Sequence, residues 1–124
     1  MLFTTILKDN SAFLRCYKKG RRVCSDTLCV YFFPNKMPCN RLGITAGKKL
    51  GNAVTRNRVK RIIRAACRLS EQDFPIGYDI VFVGRNNIGE KTSKDVLGFI
   101  GQRLIKEMNR PFEKRTGNMP KKDQ

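Results

Sequence analysis

Residues 48–68, KKLGNAVTRNRVKRIIRAACR, decide how the rest of the chain is read. Lys48, Lys49, Arg56, Arg58, Lys60, Arg61, Arg64 and Arg68 are all cationic, and no Asp or Glu occurs between Asp26 and Glu71. Val59, Ile62, Ile63, Ala66 and Leu69 recur at helical spacing, so the stretch predicts an amphipathic helix with those five residues on its apolar side. At about 100° per residue, Asn57, Arg61, Arg64 and Arg68 fall on the opposite side with Lys60 beside them, while Arg56 and Arg58 flank them near the start. Gly51-Asn52 supplies a start signal, with Asn52 as N-cap. Like charges three and four residues apart repel on an isolated helix. A solvated face normally mixes signs, so this one points to an anionic ligand, and a nucleic-acid backbone is the usual one.

Working outward, residues 11–19 predict a first helix capped by Ser11 and ended by Gly20, with Phe13 and Tyr17 on one side. Residues 21–25 and 27–33 predict two strands. The second is apolar on both faces, which fits either a covered central strand or one whose second face lines an aromatic groove. A Pro-containing loop follows. Residues 41–46 form a third strand with Leu42 and Ile44 on one face. Beyond the basic helix, residues 78–83, YDIVFV, form a buried strand. A last helix starts at Thr92 or Ser93 and reaches about Asn109, with Val96, Leu97, Ile100, Leu104 and Met108 as its stripe. Gly98 and Gly101 weaken it, which suggests close packing against a neighbour. The N-terminal residues read as a strap or a frayed end, and residues 113–124 as a basic disordered tail beyond a single domain, 1–112. The order α-β-β-β-α-β-α implies an α+β two-layer sandwich, with residues 41–83 as a βαβ unit.

Composition narrows the function. Twenty-six Lys and Arg against ten acids give a net charge of +16, which favours salt-sensitive binding to polyanions. No apolar run approaches the ~18 residues of a spanning helix, and the N-terminus does not read as a signal peptide, so a membrane partner is not expected. There is no histidine, which removes the common triads and the neutral-pH proton shuttle. The acids are scattered, unlike the clustered carboxylates of a two-metal nuclease. Cys16, Cys24, Cys29, Cys39 and Cys67 lack CxxC spacing, so zinc is not expected. They read as reduced thiols of a cytosolic protein, used mostly as small core residues. Neither catalytic nor metal-binding residues are assigned. Three classes of polyanion-binding protein remain on these grounds: a ribosomal or general RNA chaperone, a groove-binding DNA protein, and a self-sufficient nuclease.

Residues 48–64, KKLGNAVTRNRVKRIIR, with the core Arg56-Asn57-Arg58 followed by Lys60-Arg61 and Arg64, resemble the signature of the protein subunit of bacterial ribonuclease P. The likeness extends more loosely from about Leu7 to Met108. It implies a ribosomal-protein-S5-domain-2-like fold with a left-handed βαβ crossover. It also implies removal of the 5′ leader from precursor tRNA, with the Mg²⁺-dependent hydrolysis performed by the RNA subunit and no metal held tightly by the protein. The implied partners are the catalytic RNA and the precursor tRNA, with a monomeric protein, one per RNA, in the cytoplasm. The RNA contacts expected on this basis are Arg56, Asn57, Arg58, Lys60, Arg61 and Arg64. Lys48, Lys49, Asn52 and Arg68 join them by position. Phe13, Tyr17, Cys29 and Tyr31 match the family's central cleft for the single-stranded leader. Unpaired bases stack on such rings with little sequence preference. Cys29 stands where the family often carries a branched aliphatic.

Overall fold

The structure, a computed structural model, describes residues 4–85, 88 and 91–110; the tail expected from residue 113 lies outside them. The chain opens with a short strand, β1 (Thr4–Ile6), rather than a strap. Three residues carry too little alternation to be read as a strand, and pairing with a distant partner makes them one. Helix α1 (Asn10–Lys19) is capped by Asp9 instead of Ser11: the Asp9 carboxylate accepts from the Ser11 N–H (3.2 Å) and hydroxyl (2.9 Å). It ends at Gly20, where a Cβ would sit 2.6 Å from the Cys16 carbonyl oxygen and 2.7 Å from that of Phe32. Glycine at this close approach lets β2 (Arg21–Cys24) begin at once. Then follow β3 (Leu28–Pro34), β4 (Asn40–Thr45), a 3-10 turn at Lys48–Leu50, α2 (Ala53–Ser70) and β5 (Tyr78–Gly84). The last helix, α3, is α-helical over Ser93–Phe99, π-helical over Ile100–Leu104 and α-helical again over Ile105–Asn109.

One five-stranded sheet has the order β1-β4-β5-β3-β2, with β1, β4 and β5 mutually parallel and β3 antiparallel to both neighbours. Leu42, Ile80, Phe32, Val30 and Phe82 face a core completed by Val59, Ile62, Ile63 and Ala66 of α2 and by Val96, Ile100, Leu104 and Met108 of α3. On the other face, Ala12 and Cys16 of α1 pack with Leu7 and Val81. The basic helix thus forms the crossover between parallel β4 and β5. The Leu42 carbonyl accepts from the Leu7 N–H (2.9 Å), so it points to β1 while the side chain points to α2. For an L-residue in an upward strand seen from its side-chain face, the peptide groups point right. β1 therefore lies to the right of β4 and β5 to the left, and the β4–α2–β5 crossover is left-handed, against a preference of about 98% for the right hand.

Several details depart from the sequence reading. Leu69 is 69% exposed, and Cys67 and Ser70 complete the buried stripe of α2 in its place. Nothing lies within 4 Å of a Cβ at Gly98 or Gly101, so close packing does not explain them; they flank the start of the π-helical segment. Val96, Ile100, Leu104 and Met108 are spaced by four, a spacing that drifts about 40° per step on an α-helix; the wider π turn counters that drift and keeps all four buried. Cys24 and Cys29 are joined as a disulfide, not held as two thiols. They stand opposite each other in the β2–β3 register, with Cα atoms 4.0 Å apart. The Ser25 N–H bonds the Leu28 carbonyl (2.7 Å) in the adjacent pair, which makes the cysteines the closer, non-hydrogen-bonded type of pair. Cys16 and Cys67 are buried free thiols, raised by burial to about 11 and about 12.

One buried ion pair anchors the sheet. Asp79, 1% exposed, accepts from Arg41 Nε (2.7 Å) and Nη2 (2.8 Å) and from Asn35 Nδ2 (3.0 Å). The hydrogen bond to Asp79 holds the Arg41 guanidinium above its usual range. Register explains the pairing: Arg41 and Asp79 are direct neighbours on parallel β4 and β5.

Candidate nucleic-acid interface

Helix α2 presents the first surface. Asn52 caps it, its Oδ1 accepting from the Thr55 N–H (3.0 Å), and no acid occupies the first turn. Gly51, at φ +130°, makes the turn from the 3-10 segment that carries exposed Lys48 and Lys49. Asn57, Arg61, Arg64 and Arg68 are exposed, with Lys60 half-buried beside them. None of these four cations pairs with a carboxylate among the described residues. The repulsion anticipated from the sequence is therefore left standing on this face.

Arg56 and Arg58 leave that face in different directions. Arg58 Nη2 donates to the Lys91 carbonyl (3.3 Å), which draws it towards the start of α3. Arg56 is half-buried and its Nε lies out of solvent with no hydrogen-bond partner. Its position on the helix explains this: counted from Val59 at about 100° per residue, Arg56 falls within the buried arc. The six cations from 56 to 68 thus divide into four that share a face, one on the flank and one half-buried at the margin of the buried arc.

The second surface is the part of the sheet that ten-residue α1 leaves uncovered. Tyr17 meets Tyr31 edge-on, with ring centroids 5.0 Å apart, and Phe13 meets Tyr17 at 6.4 Å. A cavity of about 590 Å³ opens beside them, lined by Arg22, Cys24, Cys29, Tyr31, Val83 and Arg85. Burial raises the Tyr17 phenol above its usual range, against a lowering hydrogen bond with Thr45. Cys29 is buried in the floor. Phe13 stands at the far end, its ring pressed on β4, where a Cβ at Gly43 would lie 2.5 Å from Cζ. Arg22, Val83 and Arg85 were not singled out in the sequence. Arg22 lies on β2, Val83 on β5 and Arg85 one residue beyond β5, and they meet only through the β2-β3-β5 order. Together the two surfaces offer cations for phosphates and ring faces for bases.

The Ribonuclease P family profile matches residues 3–109. The chain belongs to the ribonuclease P protein family. The ribonuclease P protein component of Clostridioides difficile is 42% identical over 91 residues, covering 73% of this chain and 80% of that protein. The component from Alkaliphilus metalliredigens is 41% identical over 90 residues, covering 73% and 81%. Among solved structures, the RNase P protein of Staphylococcus aureus matches with a TM-score of 0.73 and 33% identity, over 86% of this chain and 96% of that one. The protein from Thermotoga maritima matches with a TM-score of 0.68 and 29% identity, over 87% and 98%. This chain is accordingly a protein component of ribonuclease P, an RNA-binding tRNA-processing ribonucleoprotein with endoribonuclease activity. Its partner is the RNA subunit. No helix among the described residues is long and apolar enough to cross a membrane.

Proposed function

We propose that the chain docks the four-cation face of α2 on the RNA subunit and holds the single-stranded 5′ leader of precursor tRNA in the cleft beside α1. The observation that carries this reading is the pairing of a T-shaped Tyr17–Tyr31 wall with an open sheet floor rimmed by Arg22 and Arg85. Rings take unpaired bases and guanidiniums take the phosphates between them, the combination that binds single strands without sequence preference. The particle acts in the cytoplasm, with one protein per RNA.

Hydrolysis of the phosphodiester and the Mg²⁺ that assists it belong, in this reading, to the RNA. Four of the protein's carboxylates fit a metal poorly because they are engaged elsewhere. Asp79 is held by Arg41 and Asn35, Asp9 and Asp95 cap helices, and Glu107 pairs with Arg21 and Arg110.

The test is reconstitution with a bacterial ribonuclease P RNA and precursor tRNA at limiting Mg²⁺. Added protein should restore leader removal, and Tyr31→Ala should weaken binding of precursor tRNA more than of mature tRNA. Equal losses on both substrates would remove the leader from the cleft.

A further inference from the structure

β1 covers only part of β4. Its last partner is the Ile6–Leu42 pair, yet β4 continues to Thr45. Residues alternate along a strand, so Ile44 directs its N–H and C=O the same way as Leu42, towards the edge that β1 leaves open. At this edge lies a cavity of about 350 Å³, within the roughly 300–1,000 Å³ range of ligand sites. Ile6, Leu42 and Ile44 supply an apolar floor, and the ring of Phe13 closes one end over Gly43. Ile6 is 71% exposed, an unusual state for a strand isoleucine whose neighbours form a floor. Lys60, Arg64 and Arg68 of α2 line the same cavity, and no acid does among the described residues.

We propose that this edge cavity receives one unstacked nucleotide of the RNA subunit. The proposal rests on the docking of α2 to that RNA and specifies where a base, not only a phosphate, is held. The chemistry is complementary at three points. Ile6, Leu42 and Ile44 take the apolar face of the base. The free N–H and C=O of Ile44 offer a donor and an acceptor to its polar edge, as an unpaired strand edge offers them to any peptide-like partner. Lys60, Arg64 and Arg68 meet the phosphates on either side. A duplex cannot satisfy this arrangement, because its bases are stacked and their edges paired. The RNA subunit is the occupant rather than the leader because the three cations belong to the face assigned to that RNA, whereas the leader cleft has its own cations in Arg22 and Arg85.

The experiment compares Ile6→Ala and Arg64→Ala in binding to a bacterial ribonuclease P RNA across a salt series. It also places a photocrosslinker by Ile6→p-benzoylphenylalanine, with and without precursor tRNA. Ile6 is exposed, so both changes leave the core intact. Ile6→Ala should weaken binding by about tenfold at every salt concentration, since it removes apolar contact and no charge. Arg64→Ala should make the salt dependence shallower by about 0.7–0.9. The crosslink should map to an unpaired nucleotide of the RNA subunit and should not need precursor tRNA. Unchanged binding of Ile6→Ala, or crosslinks to paired nucleotides or to the leader alone, overturns the nucleotide site while the α2 docking stands. An unchanged slope for Arg64→Ala overturns the docking itself.

Discussion

Replacing Lys60, Arg61, Arg64 and Arg68 together by Gln tests whether α2 is an electrostatic surface for RNA. Gln keeps helix propensity close to that of Lys and Arg, and none of the four side chains is fully buried, so the helix should remain folded. The wild-type cations have no carboxylate partners among the described residues, so each is free to displace a counterion from RNA. Each phosphate contact contributes about 0.7 to 0.9 to the slope of log K against log salt. Four contacts contribute about 2.8 to 3.6, so a fourfold rise in salt should cost the wild type about 50- to 150-fold more affinity than the variant. Fluorescence anisotropy on a labelled ribonuclease P RNA measures this directly, with circular dichroism to confirm folding. Arg110→Gln serves as a control, because Arg110 already pairs with Glu107 at 3.0 Å and should leave the slope alone. A folded quadruple variant with the wild-type slope would refute the assignment of this face to phosphates.

Asp79→Asn should destabilise the domain by about 3 kcal/mol, because it leaves the Arg41 charge without its partner in a poorly solvated site; the midpoint of urea unfolding reports it, and a shift under about 0.5 kcal/mol would count against the pair as an anchor. Hydrogen bonds from the backbone and hydroxyl of Thr92 hold the Asp95 carboxyl below its usual range. Its stabilisation is therefore present above the unfolded-state value near 4 and lost as pH falls through the depressed folded value. The Tm gap between wild type and Asp95→Asn should accordingly close between about pH 5 and pH 2, and a pH-independent gap would contradict this. Alkylation by iodoacetamide at pH 8 in the native state should label half-exposed Cys39 first and leave Cys16 and Cys67, held at about 11 and about 12, largely unmodified; mass spectrometry decides it, with early labelling at Cys67 as the contrary result.

The basic helix was legible because eighteen residues repeat one period many times, and its cap and length follow from local chemistry. Its rotation was not fully legible. Cys67 and Leu69 both sit at the margins of the apolar arc on a helical wheel, and only tertiary neighbours settle that Cys67 is buried and Leu69 exposed. Arg56 shows the same limit: charge argues for the outer face, while its place on the helix leaves it half-buried with its Nε out of solvent. Features that depend on register were invisible for a different reason. The Arg41–Asp79 pair spans 38 residues, the Cys24–Cys29 pair needs β2 and β3 aligned, and β1 becomes a strand only against β4. The cleft was half legible. Phe13, Tyr17, Cys29 and Tyr31 came from a family likeness, but its cationic rim, Arg22 on β2 and Arg85 just past β5, joins elements that the sequence could not place side by side.

The openness of that cleft follows from the length of one helix. Ten-residue α1 ends where Gly20 is wedged between the carbonyls of Cys16 and Phe32, and β2 starts on the next residue. With no further turn available, the α1 cluster covers Val81 and reaches Tyr31 and Val83, and those two residues border a gap, lined also by Cys29 and Arg22, that the protein does not fill. On the opposite face, eighteen-residue α2 and the nearly equal α3 leave no such gap over Phe32, Ile80 and Phe82. One face of the sheet therefore supplies the stability that the other forgoes. The difference is set by where a single glycine stops a helix, so lengthening α1 by insertion after Lys19 should obstruct the cleft while leaving the main core and the α2 cations in place. Precursor tRNA would then bind the reconstituted particle no better than mature tRNA, at an unchanged affinity for the RNA subunit. A preserved preference for the precursor would mean that the leader runs elsewhere.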